Sequence, residues 1–210
     1  MTNYSELMKN VDVQWQSYMD SGQETVFFSA SDYPKAGPPQ PELFERLRTA
    51  AGKLGAKVSV VDSIDGGDAD ARCHVSGRIE VLRKLEPTEA AGRLAHELGH
   101  WLVDYAEPRL TPFVKELSLM NPVEHKAAIA KAGLEKYLEV VNFVESTAPL
   151  PVKETRAEAV SYLVLKHFGV EQPRSVGFIA SWGGNSKRLA EFQNQILATA
   201  AKIVAATEAA

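Results

Sequence analysis

The segment His96-Glu97-Leu98-Gly99-His100 constrains this chain more than any other. Two histidines four residues apart face the same way only on an α-helix, where positions i and i+4 stack on one side. A helix with one polar, ion-facing side and one buried side is therefore expected here. Ala91, Leu94, Leu98 and Leu102 supply the buried side, while Arg93, His96, Glu97 and His100 fall largely on the other. Pro87, with Glu86 and Glu89 around the first turn, marks the start of a helix predicted to run to about Val103. Gly99 weakens such a helix by about 1 kcal/mol relative to alanine. Its presence predicts a neighbour packed too closely to admit a side chain.

Two imidazoles on one helical face can share a single zinc ion, and Glu97 beside them is placed to take a proton from water. Structural zinc sites are closed and usually rich in thiolates. With Cys73 as its one cysteine, the chain has no such site of its own. A catalytic site needs a third protein ligand and an open position. The extension that would supply a third histidine is missing, because Val103 and Ala106 stand where it would require glycine and histidine. A downstream carboxylate must serve instead. Glu154 and Glu158 share one face of a helix predicted from about Lys153 to Phe168 and stopped by Gly169, so either could reach the ion. The competing expectation is that both are solvated, with Lys153 and Arg156 as partners.

The rest of the chain frames this pair of helices. Residues 1–31 read as a mixed leader with a helix around Val13–Tyr18 and a short strand at Thr25–Phe28, and Ser31–Pro41 is a proline-rich connector. Leu43, Phe44, Leu47 and Leu54 recur at helical spacing and Gly55 closes that helix. Lys57–Asp62 reads as a buried strand. Asp62–Asp70 carries four aspartates and two glycines but lacks the spacing and terminal glutamate of an EF-hand loop, so a solvated turn is expected. Arg78–Leu82 alternates as a half-exposed strand and offers an edge for an extended peptide. Residues 104–150 read as an inserted set of two or three helices, with Leu134, Tyr137, Leu138 and Val141 as an apolar stripe. A short helix before Gly183-Gly184 and a last helix using Leu189, Phe192, Ile196 and Ile203 complete the chain.

His96-Glu97-Leu98-Gly99-His100-Trp101, Glu154-Thr155-Arg156-Ala157-Glu158 and Phe178-Ile179-Ala180-Ser181-Trp182 together resemble the gluzincin-type zinc peptidases. Within that group the similarity is to ArdC-type antirestriction metallopeptidase domains, over residues 75–205, and more distantly to ImmA/IrrE-type peptidases. Phe178 stands where tyrosine is common in the ArdC-like segment. The resemblance implies that His96, His100 and Glu154 bind zinc, that Glu97 is the general base, and that Glu158 accepts a hydrogen bond from a ligand histidine. ArdC-like proteins carry a single-stranded-DNA-binding region ahead of the peptidase domain, and residues 1–74 leave little room for one.

Charge agrees with that departure. The chain has 23 Lys+Arg against 27 Asp+Glu, a formal net charge of -4, and so no dominant basic footprint for a phosphate backbone. The start, Met1-Thr2-Asn3-Tyr4-Ser5-Glu6, is not a signal peptide, no apolar run is long enough to span a membrane, and the single cysteine suits a reducing cytosol. The expectation is a cytoplasmic zinc peptidase acting on a peptide or protein substrate. Its fold is a mostly helical α+β zincin-like domain over residues 41–210, with residues 1–40 as leader and connector. The alternative is a non-proteolytic antirestriction or binding protein whose metal site is structural or vestigial. Tyr105, Tyr162 and His125 are candidate donors to a reaction oxyanion. His74 beside Cys73 reads as structural, His167 as solvated, and Trp101 and Trp182 as either packing or site residues.

Overall fold

The computed structural model describes residues 2–20, 40–64, 69–105, 123–124, 126–128, 130–133 and 148–210. The expected strand at 25–28, most of the proline-rich connector, most of the 104–150 insertion with its apolar stripe, and His125 lie outside the described residues. The described part is α+β and mostly helical, with one small sheet.

Residues Thr2–Asp20 form helix α1, longer than the expected turn or two, and its Tyr4, Leu7 and Val11 are buried in the common core. The Tyr4 hydroxyl donates to the Leu189 carbonyl at 2.6 Å, tying the two ends of the chain together. Helix α2, Pro41–Lys53, starts on a proline at its first position and buries Leu43, Phe44, Leu47, Ala50 and Ala51. Gly55, at φ 81°, takes the left-handed conformation that ends it.

The sheet contains β1 (Lys57–Val61), β2 (Ala71–Cys73) and β3 (Arg78–Leu82) in the order β1-β3-β2. β1 runs parallel to β3 from Lys57↔Arg78 to Val61↔Leu82, and β2 runs antiparallel to it with Cys73 opposite Ile79. Two expectations fail here. β1 is only partly covered, because it lies at an edge. β3 is central and its main chain is engaged on both sides, so Arg78–Leu82 offers no edge to a peptide. Among the described residues the edges are β1 and β2. The alternation of β3 does hold: Ile79 and Val81 are buried, while Glu80 turns to the other face and meets His74 and Arg78.

Helix α3, Pro87–His100, buries Ala90, Ala91, Leu94, Ala95 and Leu98 against the sheet side and α2. It continues without a break into a π turn, Trp101–Tyr105. Asp104 and Tyr105 thus belong to the end of the histidine helix rather than to an insertion. Helix α4, Leu150–His167, is buried on nearly every side, from Thr155 through Leu165, as a central helix must be. It is the element against which α3 packs most extensively. Helix α5, Pro173–Ser181, follows. The predicted last helix is two, α6 (Ser186–Glu191) and α7 (Gln193–Glu208), because the chain breaks helical geometry at Phe192. No helix among the described residues is long and apolar enough to cross a membrane.

Candidate metal centre

The contact between α3 and α4 is close because both helices carry small residues where they cross. A Cβ built on Gly99 would stand 2.9 Å from the Ala157 Cα and 3.2 Å from its carbonyl oxygen. That is the close neighbour which glycine at this position predicted. The approach brings the carboxylates of α4 over the imidazoles of α3.

His96, His100 and Glu154 converge, with candidate donor atoms all within 4.8 Å of one another. His96 Nε2 and His100 Nε2 are 3.1 Å apart. Glu154 Oε2 lies 3.2 Å from His96 Nε2, and Oε1 lies 3.4 Å from His100 Nε2. Donors bonded tetrahedrally to one zinc ion at about 2.0–2.1 Å lie roughly 3.3 Å from each other. The three separations, the last two through different Glu154 oxygens, bracket that value, and the cluster could hold a single small cation. Glu97 stands outside this trio and lines the same cleft, of about 280 Å³, with Phe178 and Trp182.

Each histidine is oriented from behind by its own carboxylate. His96 Nδ1 lies 2.6 Å from Glu158 Oε2, and the other Glu158 oxygen accepts from the Ser175 hydroxyl. His100 Nδ1 lies 2.9 Å from Asp104 Oδ2, and Asp104 Oδ1 accepts from the Arg156 guanidinium. A carboxylate on Nδ1 fixes each ring so that Nε2 is the nitrogen it presents to the centre. Glu158 thus occupies the supporting position expected for it. Asp104 was missed, although it lies i+4 from His100, the same spacing that related His100 to His96. Arg156 does not partner the glutamates. It is buried and held between Asp104 and the Gln195 carboxamide.

The electrostatics of the cluster favour a cation. Burial by itself would push the His96 imidazole down, but its hydrogen bonds to Glu154 and Glu158 outweigh it and hold the ring up to about 10. His100 is raised in the same way, against its burial, by Asp104 and Glu154. Burial would raise Glu154, yet the two imidazoles hold it well below the usual carboxylate range. A site that stabilises positive charge in this way could hold a metal ion in exchange for protons.

Comparison with known proteins finds no matching family model, no similar curated protein and no similar solved structure. The site is therefore read from its own geometry.

The other predicted residues fall into place around it. Of the three oxyanion candidates, Tyr105 stands beside the centre, its ring stacked on His100 at 6.4 Å between centroids. Tyr162 lies elsewhere, among Asn10, Glu6 and Lys166. Trp101 packs: its indole donates to the Leu54 carbonyl and its ring lies against Gly77. Trp182 is 36% exposed and lines the cleft, so it is not a core residue. His74 pairs with Glu80, and His167 is exposed against Glu208. Asp62 and Asp70 are engaged by Arg83 and Arg93, which leaves those two aspartates committed to ion pairs.

Proposed function

We propose that this chain is a zinc-dependent peptidase that hydrolyses a peptide bond in the cleft between α3 and α5. The observation that carries the reading is the convergence of His96, His100 and Glu154, one donor atom from each lying within 4.8 Å of the others, with Glu97 lining the same cleft. Bound there, zinc would polarise the scissile carbonyl and bring a water to a pKa of about 7. Glu97 would take a proton from water in the cleft on its carboxylate and return it to the leaving amine. Glu158 and Asp104 hold the imidazole rings in one tautomer and one orientation. Tyr105, whose phenol is kept protonated by burial and the surrounding carboxyl groups and Cys73, can donate to the developing oxyanion. The outer edge of β2, which packs against α3, offers main-chain groups to an extended substrate.

The ArdC-type resemblance, the cytosolic setting and the choice of zinc over another divalent ion belong to this proposal. They rest on the motif residues, the single cysteine and the mixed nitrogen–oxygen donor set. The test is Glu97→Gln, which should keep its zinc and lose peptide hydrolysis by about 10²–10⁴-fold. Unchanged turnover would remove Glu97 from the mechanism.

One observation favours the non-proteolytic reading. The centre joins the two helices that form the middle of the core, as a structural staple would. If zinc removal unfolds the chain while Glu97→Gln leaves its biological effect intact, that reading replaces the peptidase.

A further inference from the structure

A second cavity, of about 330 Å³, adjoins the metal cleft and shares Asp70, Arg93, His96, Glu158 and Phe178 with it. It runs along one face of α3 toward that helix's N-terminus, past Arg93, Gly92 and Glu89, which precede His96 at helical spacing. Its other walls are Ser161 from α4, Gln172 and Arg174 at the start of α5, and Lys84 and Leu85. A pocket adjoining a hydrolytic centre is where a residue flanking the cleaved bond would lie.

The charges of this lining are loosely paired. Glu158 is bonded to His96 and Ser175 and also acts on Arg93. Asp70 and Glu89 are the other two acids, set against the cations Lys84, Arg93 and Arg174. Asp70 is shared between Arg93 at 3.2 Å and Lys84 at 4.0 Å. Glu89 reaches Arg174 only at 3.5 Å, and the Arg174 Nε, itself buried, has no hydrogen-bond partner. The positive end of α3 adds to the positive potential there. A lysine or arginine side chain entering here would give the loosely held cations no acceptor. An apolar one would cover guanidinium groups without giving them an acceptor, which is costly. A carboxylate would give the loosely held Arg174 guanidinium and Lys84 ammonium a charged acceptor.

We propose that this cavity is a substrate subsite for a carboxylate, supplied either by an acidic side chain or by a peptide's own C-terminus. The inference rests on the peptidase reading for its place in catalysis, but its chemistry can be measured without turnover. The full-length Glu97→Gln protein, loaded with zinc, is titrated by calorimetry with three peptides. One is acetylated and amidated with a central glutamate, the second has glutamine in its place, and the third is the glutamine peptide with a free C-terminal carboxylate. The glutamate or the free-carboxylate peptide should bind about tenfold more tightly than the neutral one, and which of them does so identifies the source. Arg174→Met should reduce that advantage to about twofold or less while leaving the neutral peptide unaffected. Lys84→Met, at a residue 71% exposed and so harmless to folding, should reduce it in part. Equal binding of all three peptides, or a carboxylate preference unchanged in both variants, overturns the subsite. Carboxylate-selective binding together with no hydrolysis of any of these peptides by the unmutated protein would sink the peptidase reading and leave the subsite standing. Hydrolysis indifferent to charge would do the reverse.

Discussion

Glu154 and Glu158 stand one helical turn apart on α4, yet they meet opposite nitrogens of His96, Nε2 at 3.2 Å and Nδ1 at 2.6 Å. Their losses should therefore differ in kind. Glu154→Ala removes one of three converging donors and should bring bound metal to background after dialysis against a defined low level of free zinc. Glu158→Ala removes only the acceptor behind a ligand ring, and should weaken affinity by about 10–100-fold while full occupancy returns at higher zinc. Elemental analysis across a zinc series distinguishes the two, and the opposite pattern would exchange their roles. The same spacing rule that made these glutamates visible in the sequence explains what was hidden. Arg156 lies two residues from each of them and so cannot face them on a helix. It turns instead to Asp104, more than fifty residues earlier, and no periodicity within either segment announces that partnership. Asp104 was readable as the next i+4 step after His100, but the recognisable motif ends at the histidine.

At the level of elements, the α3–α4 crossing sets the distance between the histidines and Glu154, and Gly99 sets the crossing. Alanine there gains about 1 kcal/mol of helix propensity. Its Cβ would meet the Ala157 backbone at 2.9 Å, and a backbone cannot step aside as a flexible side chain can. Overpacking of this kind costs about 1–3 kcal/mol, so Gly99→Ala should be destabilising overall and should weaken metal binding as the helices part. Gly52, near the end of α2, has nothing within 4 Å of its built Cβ and provides the control. Gly52→Ala should be neutral or stabilising by up to about 0.5–1 kcal/mol. Urea denaturation of the pair decides the point, and equal effects at both sites would dismiss the packing argument. The helices themselves were legible, since Pro41, Pro87, Gly55 and Gly169 mark their ends and the apolar spacing marks their buried faces. The sheet order was not. The alternation of β3 records which of its faces is buried, but gives no sign that a three-residue strand, β2, pairs along its outer side. Strand pairing is a contact between distant segments, and each segment's own pattern is compatible with several orders.

For the molecule as a whole, the centre lies where most of the core meets. α4 packs on α3, α1, α5 and α7, and α3 also packs on α2 and the sheet. An ion held by His96 and His100 from one central helix and Glu154 from the other would bridge both groups of elements. A ligand that binds only the folded state stabilises it in proportion to the logarithm of its excess. At free zinc about 1,000 times the dissociation constant, the gain is about 4 kcal/mol. In a chain of this size each 1 kcal/mol shifts Tm by roughly 2–4 °C, so zinc should raise Tm by roughly 8–16 °C over the chelated protein. The shift should vanish in Glu154→Ala, because the bridge loses its α4 side. It should persist in Glu97→Gln, because Glu97 lies outside the donor trio. Thermal scans of the three proteins, with chelator and with zinc, therefore separate a metal that staples the core from the proton transfer performed beside it. A zinc-induced shift of equal size in Glu154→Ala would place the stabilising ion elsewhere in the chain.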